Sequence, residues 1–260
     1  MNDMLRREAI SRVGITIAID GPAGSGKSTV SKELASRLGI GYLDTGAMYR
    51  ALTWYVLDRG IDWSDGEAVA RAAQEMPLRM DSDPADPHVW IGQREVTKQI
   101  REPRIALEIK HVSTNLDVRA WMAGDQRRRM MEARLGGSGM IAEGRDITTV
   151  VCPDADVRVL LLADQEARLR RRTLELYGDA TAEHMEIVRA QVEGRDRADA
   201  EVSEFMVAAP GVSTVDSTGL DVRGGGPRSA RRVAARAPML PRPCVSHSGS
   251  HAGTGLSTET

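Results

Sequence analysis

The chain has 260 residues, enough for one or two domains with a full core, and with 41% hydrophobic but only 3% aromatic residues that core must be aliphatic. Its formal charge is −2, unevenly placed: residues 223–260 hold six of the 35 basic residues and one of the 37 acidic ones, which leaves residues 1–222 with a net −7. An acidic body excludes a general nucleic-acid binder, whose nonspecific affinity comes from basic charge, but leaves room for a local basic pocket that takes a small phosphorylated ligand.

In chain order, Ile15 to Asp20 is apolar and β-branched, which predicts a strand buried in a parallel sheet. Gly21-Pro22-Ala23-Gly24-Ser25-Gly26-Lys27-Ser28 follows, and then a helix with Val30, Leu34, Ala35 and Leu38 on its apolar side. Strand, glycine loop and helix in this order are the context a phosphate-binding loop requires. The glycines let backbone N–H groups converge on a polyphosphate; Lys27 reaches the β and γ phosphates, and the Ser28 hydroxyl is a Mg²⁺ ligand. A short second strand, Ile40 to Asp44, ends in an Asp44-Thr45-Gly46 turn, and a helix is expected from Ala47 to about Arg59. Arg50, one turn into that helix at the carboxyl edge of the sheet, is placed to clamp a phosphate bidentately.

Residues 61–115 break the rhythm. A helix over Trp63–Met76 capped by Ser64 is expected, then three short strands at 78–80, 88–91 and 94–96. A helix bearing Ile105, Ile109 and Val112 and a longer one from an Asn115 cap to Leu135 come next, the latter carrying Arg127, Arg128 and Arg129 as a solvated face. Met140–Gly144 and Asp156–Ala163 read as buried strands and Val212–Val215 as a fifth. Between the last two lie a helix from Gln165 to about Tyr177, with Arg168, Arg170, Arg171 and Arg172, and a helix from Ala182 to Arg195. Four arginines in five residues repel one another unless anions lie between them. With no Asn-Lys-x-Asp guanine reader, no separate apolar strand ending in an isolated Asp in the layout of a regulatory GTPase, and arginines on several segments at the sheet edge, the pattern favours phosphoryl transfer onto a second phosphate.

The residues IDGPAGSGKST at 19–29, LDTGAMYR at 43–50, Ile100-Arg101, Val118-Arg119, EGRDITTVVCPDADV at 143–157, ARLRRR ending at Arg172 and RDRAD at 195–199 resemble the bacterial cytidylate kinases, of the nucleoside monophosphate kinase group. The resemblance covers residues 14 to about 222. It implies an α/β, three-layer P-loop fold with a five-stranded parallel sheet of order 2-3-1-4-5 and a small antiparallel insertion. It divides the chain into a kinase core (14–60 and 116–222) with an arginine-rich lid at about 164–198, and a nucleotide-binding lobe at 61–115.

The implied activity is transfer of the ATP γ-phosphoryl group to CMP or dCMP with Mg²⁺. On the matching positions, Gly21 to Thr29 bind ATP, and Lys27, Arg171 and Arg172 act on the transferring phosphate. Thr45, Tyr49, Arg50 and Arg101 line the acceptor site. Arg119, Arg145 and Asp146 read cytosine, a carboxylate accepting from the N4 amine and a guanidinium donating to O2 and N3. Arg195 and Asp199 form a second charged pair at the acceptor. The chain departs from the family at Ala200 and Val202, where a Ser and an Arg are usual, at Lys110 for a Ser, and at Thr148 for a Gly.

From Arg223 the family's amphipathic last helix is replaced by a Gly-, Pro-, Ser- and Arg-rich segment without apolar periodicity, expected to be disordered, as a shifted reading frame would produce. Two cysteines, no apolar leader and no 18-residue apolar run predict a cytoplasmic protein that binds neither membrane nor nucleic acid; a monomer is expected. The competing readings are a P-loop kinase with another acceptor, or a nucleotide-binding protein inactivated by its altered end.

Overall fold

A computed structural model of the chain describes residues 14–200 and 202–219; the segment from 223 onward and the side chains of Arg195 and Asp199 lie outside what it describes. Its central strand, β1 (Thr16–Asp20), is buried along its whole length because parallel neighbours pair with it on both edges. The phosphate loop follows, and α1 (Lys27–Leu38) starts at Gly26, which is in the left-handed conformation. Next come β2 (Gly41–Asp44), α2 (Thr45–Arg59) and α3 (Gly66–Glu75), then the short strands β3 (Leu78–Met80), β4 (Val89–Ile91) and β5 (Arg94–Glu95). A 3₁₀ turn, α4 (Pro103–Ser113), α5 (Leu116–Leu135) and β6 (Met140–Gly144) lead to a π-helical turn at Ile147–Val151. β7 (Val157–Leu162), α6 (Gln165–Tyr177), α7 (Ala182–Ala200) and β8 (Ser213–Asp216) complete the fold.

The main sheet is parallel with order β2-β6-β1-β7-β8; counted over its own five strands this is 2-3-1-4-5, as expected. β3, β4 and β5 form the expected antiparallel sheet. Helices cover both faces. α1 packs on the side of Ile17, Ile19, Tyr42 and Ile141, whereas Ala18, Leu43 and Ala142 face the cluster built with α2 and α5. That second cluster runs without a break into Val69, Val89, Ile91, Ile100 and Ile105, so residues 61–115 share the core of the parallel sheet. Full burial of each such aliphatic side chain contributes about 1.5–3 kcal/mol, which binds the insertion to the sheet by the same force that folds it.

Several local expectations are corrected. The second helix begins at Thr45 and not at Ala47, because Asp44 caps it directly, its Oδ1 accepting from the Ala47 N–H at 2.8 Å. The third helix is capped by Asp65 rather than Ser64; the Ser64 N–H instead donates to Asp62 Oδ1 at 2.9 Å in the preceding turn. α7 continues five residues past Arg195. The Arg127–Arg129 run is more than a solvated face, since Arg127 pairs with Asp154 at 2.6 Å and Arg129 reaches the Leu78 carbonyl at 3.4 Å. The π-helical turn carries no periodicity that the sequence could have shown.

Candidate active site

A cleft of 1580 Å³ runs along the carboxyl edge of the parallel sheet, where open α/β sheets bind ligands. The glycine loop, α2, α4 and the α6–α7 hairpin border it. In the glycine loop, Gly21 and Gly24 have φ of 150° and 75°, and a side chain at either would strike the Leu161 or Arg168 carbonyl respectively. Only glycine permits that close approach of backbone to backbone. The Lys27 ammonium donates to the Gly21 and Pro22 carbonyls at 2.6 and 2.9 Å, and Gly24, Gly26, Lys27, Ser28 and Thr29 all face the cleft. Ala23 also lines it, while Gly21, Pro22 and Ser25 do not.

At the floor, β6 ends beside β1 and places the buried Glu143 against the loop. The Tyr42 hydroxyl donates to Glu143 Oε1 at 2.5 Å, and the Ser28 hydroxyl bonds the same carboxylate. Burial, with the Asp44 charge nearby, pushes the Glu143 carboxyl above its ordinary range, against the pull of Lys27, Ser28 and Tyr42. Glu143 was missed as a site residue. Its only sequence signal is an acidic residue ending an otherwise apolar strand, in the place where an Asp was sought.

Mg²⁺ is held in kinases by one or two protein oxygens, water and substrate phosphates rather than by an all-protein cage. The Ser28 hydroxyl beside the Glu143 carboxylate fits that requirement. No group of three His, Cys, Asp or Glu able to hold a metal occurs among the described residues.

At the start of α2, Thr45 Oγ1 donates to the Glu143 carbonyl at 2.6 Å, and Tyr49 and Arg50 follow on the same helix. Arg50 pairs with Asp44 at 2.9 Å and Arg101 approaches the same carboxylate at 3.7 Å. Burial alone would raise the Asp44 pKa, but these two arginines, the Ala47 N–H and Lys32 hold it below the ordinary carboxylate value. The Arg50 Nε is buried without a hydrogen-bond partner in the protein, a donor that an oxyanion would satisfy. Further along, Arg119 meets Asp146 at 2.5 Å with both side chains largely buried. Arg145 turns away from that pair: it donates to the Gly21 carbonyl at 2.8 Å and lies 4.4 Å from the centroid of the buried Phe205 ring.

On the hairpin, Arg170, Arg171 and Arg172 line the cleft, whereas Arg168 is buried and donates to the Ala23 carbonyl at 3.2 Å. Arg171 donates to the Ser217 and Thr218 carbonyls at 2.6 and 3.1 Å. Arg172 pairs with Glu175 at 2.8 Å. The hairpin therefore separates its arginines: Arg168 lies against the loop, and of the three that line the cleft Arg171 is tied to the residues after β8. Arg195 and Asp199 lie on α7, whose Val192 and Gly194 border the cleft.

A glycine loop on a strand–helix junction, facing a second cationic subsite across a hairpin of arginines, defines an α/β P-loop protein built for a nucleotide and a second anionic ligand. The chain belongs to the cytidylate kinase family, whose family model matches residues 17–224. It is 44% identical over 209 residues to a cytidylate kinase of Cutibacterium acnes, covering 80% of this chain and 91% of that protein. The figure is 43% over 206 residues for a cytidylate kinase of Mycolicibacterium paratuberculosis, with 78% and 88% covered. For one of Streptomyces coelicolor it is 40% over 210 residues, with 80% and 87% covered.

Proposed function

We propose that this chain transfers the γ-phosphoryl group of ATP to CMP or dCMP, giving ADP and CDP or dCDP. The observation that carries the choice of acceptor is the Arg119–Asp146 pair at 2.5 Å inside the cleft, a donor and an acceptor fixed side by side. A carboxylate there accepts from the cytosine N4 amine, which uracil lacks, and leaves the uracil O4 facing an anion. Gly21 to Thr29 cradle the ATP phosphates with backbone N–H groups, and Lys27 exchanges its loop carbonyls for phosphate oxygens.

Arg50 and Arg101 hold the acceptor phosphate, drawing on donors that Asp44 now partly occupies. Arg172, together with Arg171 when it leaves the end of β8, neutralises charge on the transferring group. Arg195 and Asp199 serve the acceptor's sugar and phosphate. The acceptor phosphate is itself the anionic nucleophile, so no side chain needs to take a proton. Ser28 and Glu143 would hold Mg²⁺, which supplies charge neutralisation at the β and γ phosphates when bound. The lobe at 61–115 and the hairpin at about 164–198 close over the pair of nucleotides and exclude water.

The described residues contain no helix long and apolar enough to cross a membrane. We place the enzyme in the cytoplasm as a monomer with no nucleic-acid partner. The test is ADP production with ATP and Mg²⁺ and CMP, dCMP, UMP or AMP in turn. Turnover confined to the cytidine nucleotides and reduced about 100-fold or more in Lys27→Ala is expected. Equal turnover of all four acceptors, or none, overturns the reading.

A further inference from the structure

Asp20, the last residue of β1, is 2% exposed and does not itself line the cleft, although it pairs with Gly144, which does. Its Oδ1 accepts from the Ile147 N–H at 2.9 Å and its Oδ2 from the Thr148 N–H at 2.7 Å. The Thr148 hydroxyl bonds the same carboxylate. Those two amides open the π-helical turn, and the first N–H groups of any helical turn have no partner within it. The rest of the turn hangs from one atom: the Asp146 carbonyl accepts from Val150 at 2.8 Å and Val151 at 3.1 Å. Asp20 thus caps from another strand, 127 residues away, the turn that fixes the backbone of Asp146. The next residue in β1's continuation does the same for the other neighbour, since the Gly21 carbonyl takes Arg145 at 2.8 Å. Arg145 and Asp146 are therefore held by the two residues that lead into the phosphate loop.

We infer that Asp20 is a positioning residue for base selection: it clamps the Asp146 turn to the phosphate-loop strand, so that cytosine and uracil are distinguished by a carboxylate whose place is set at the donor site. The inference rests on the proposed cytidylate kinase activity. Both Asp20 oxygens face N–H donors, so an amide in its place turns one acceptor into a donor against a donor, which is the mismatch a buried turn tolerates least. The turn then shifts, and Asp146 loses its register with Arg119.

The test compares kcat/KM for CMP and UMP in the wild type, Asp20→Asn and Thr148→Ala, because that ratio is independent of the fraction of protein that is folded. We expect the CMP-to-UMP ratio to fall about 10- to 100-fold in Asp20→Asn and about 2- to 5-fold in Thr148→Ala. The KM for CMP should rise while that for ATP stays within about threefold. An unchanged ratio in the variants beside a selective wild type overturns the inference alone. A wild type that does not prefer CMP overturns the functional reading and the inference with it. Should Asp20→Asn fail to fold, Thr148→Ala decides: a lowered ratio supports the clamp and an unchanged one overturns it.

Discussion

Replacing Arg50 by Met removes the guanidinium and keeps most of the side-chain volume, so the loss is electrostatic. In the folded chain Arg50 meets Asp44 at 2.9 Å, with their side chains 18% and 15% exposed. Breaking a buried ion pair by deleting one partner costs about 3–5 kcal/mol. Here Asp44 keeps the Ala47 N–H at 2.8 Å and a half-exposed Arg101 at 3.7 Å, which lowers the expected cost to about 2–3 kcal/mol. For a chain of this size that is a fall in Tm of about 5–10 °C.

On the proposed function the acceptor phosphate would lose a bidentate partner of similar worth, so the KM for CMP should rise about 30- to 150-fold. A pH signature separates this account from a general loosening. The wild-type Asp44 pKa is depressed, so its contribution to stability is present above the ordinary carboxylate value and is lost as pH falls through the folded one. The Arg50→Met deficit should therefore be full above about pH 5 and shrink as the medium is acidified. The double variant Asp44→Asn/Arg50→Met should recover most of the Tm at pH 7 and none of the CMP affinity. Thermal melts from about pH 2 to pH 8, beside CMP saturation curves at neutral pH, measure both. A single variant with wild-type Tm and KM, or a deficit that does not vary with pH, refutes the reasoning.

Two further outcomes follow from buried groups. Burial and Asp44 raise the Glu143 pKa, so its favourable contribution to the fold is present below the ordinary value and lost as pH rises; at pH 7 the ion costs stability. Glu143→Gln should accordingly hold or raise the Tm at pH 7 while cutting kcat about 100-fold and weakening Mg²⁺-dependent nucleotide binding, as calorimetry would read; a large fall in Tm with full activity contradicts this. Burial and the Asp154 charge push the Cys152 thiol up to about 11, so its contribution to stability is complete below pH 9 and lost as pH passes about 11. At pH 8 iodoacetamide should leave the Cys152 peptide unlabelled in the native protein and label it in urea, by mass spectrometry; rapid native labelling contradicts it.

What could be read directly was contiguous. Gly21 to Ser28 is legible in one stretch because the motif of a phosphate-binding loop is contiguous, and the strand and helix on either side announce themselves by apolar pattern. Arg50, Arg101, Arg119 and Asp146 came from matching short motifs, and all four line one cleft. The sequence by itself therefore determined the glycine loop, the sheet order and most of the charged residues at its edge, Glu143 excepted.

Which charge answers which was decided only by the fold. Parallel crossovers bring the ends of distant strands to one edge, so Glu143 comes beside Ser28, Asp20 beside Ile147, and Arg171 beside Ser217, across separations that carry no periodic signal. A charge acts through its nearest partners in a low dielectric, and those partners exist only once the strands are side by side. Thus Arg145, adjacent to Asp146 in sequence, faces the phosphate loop and Phe205, while Arg119, 27 residues away, holds the carboxylate.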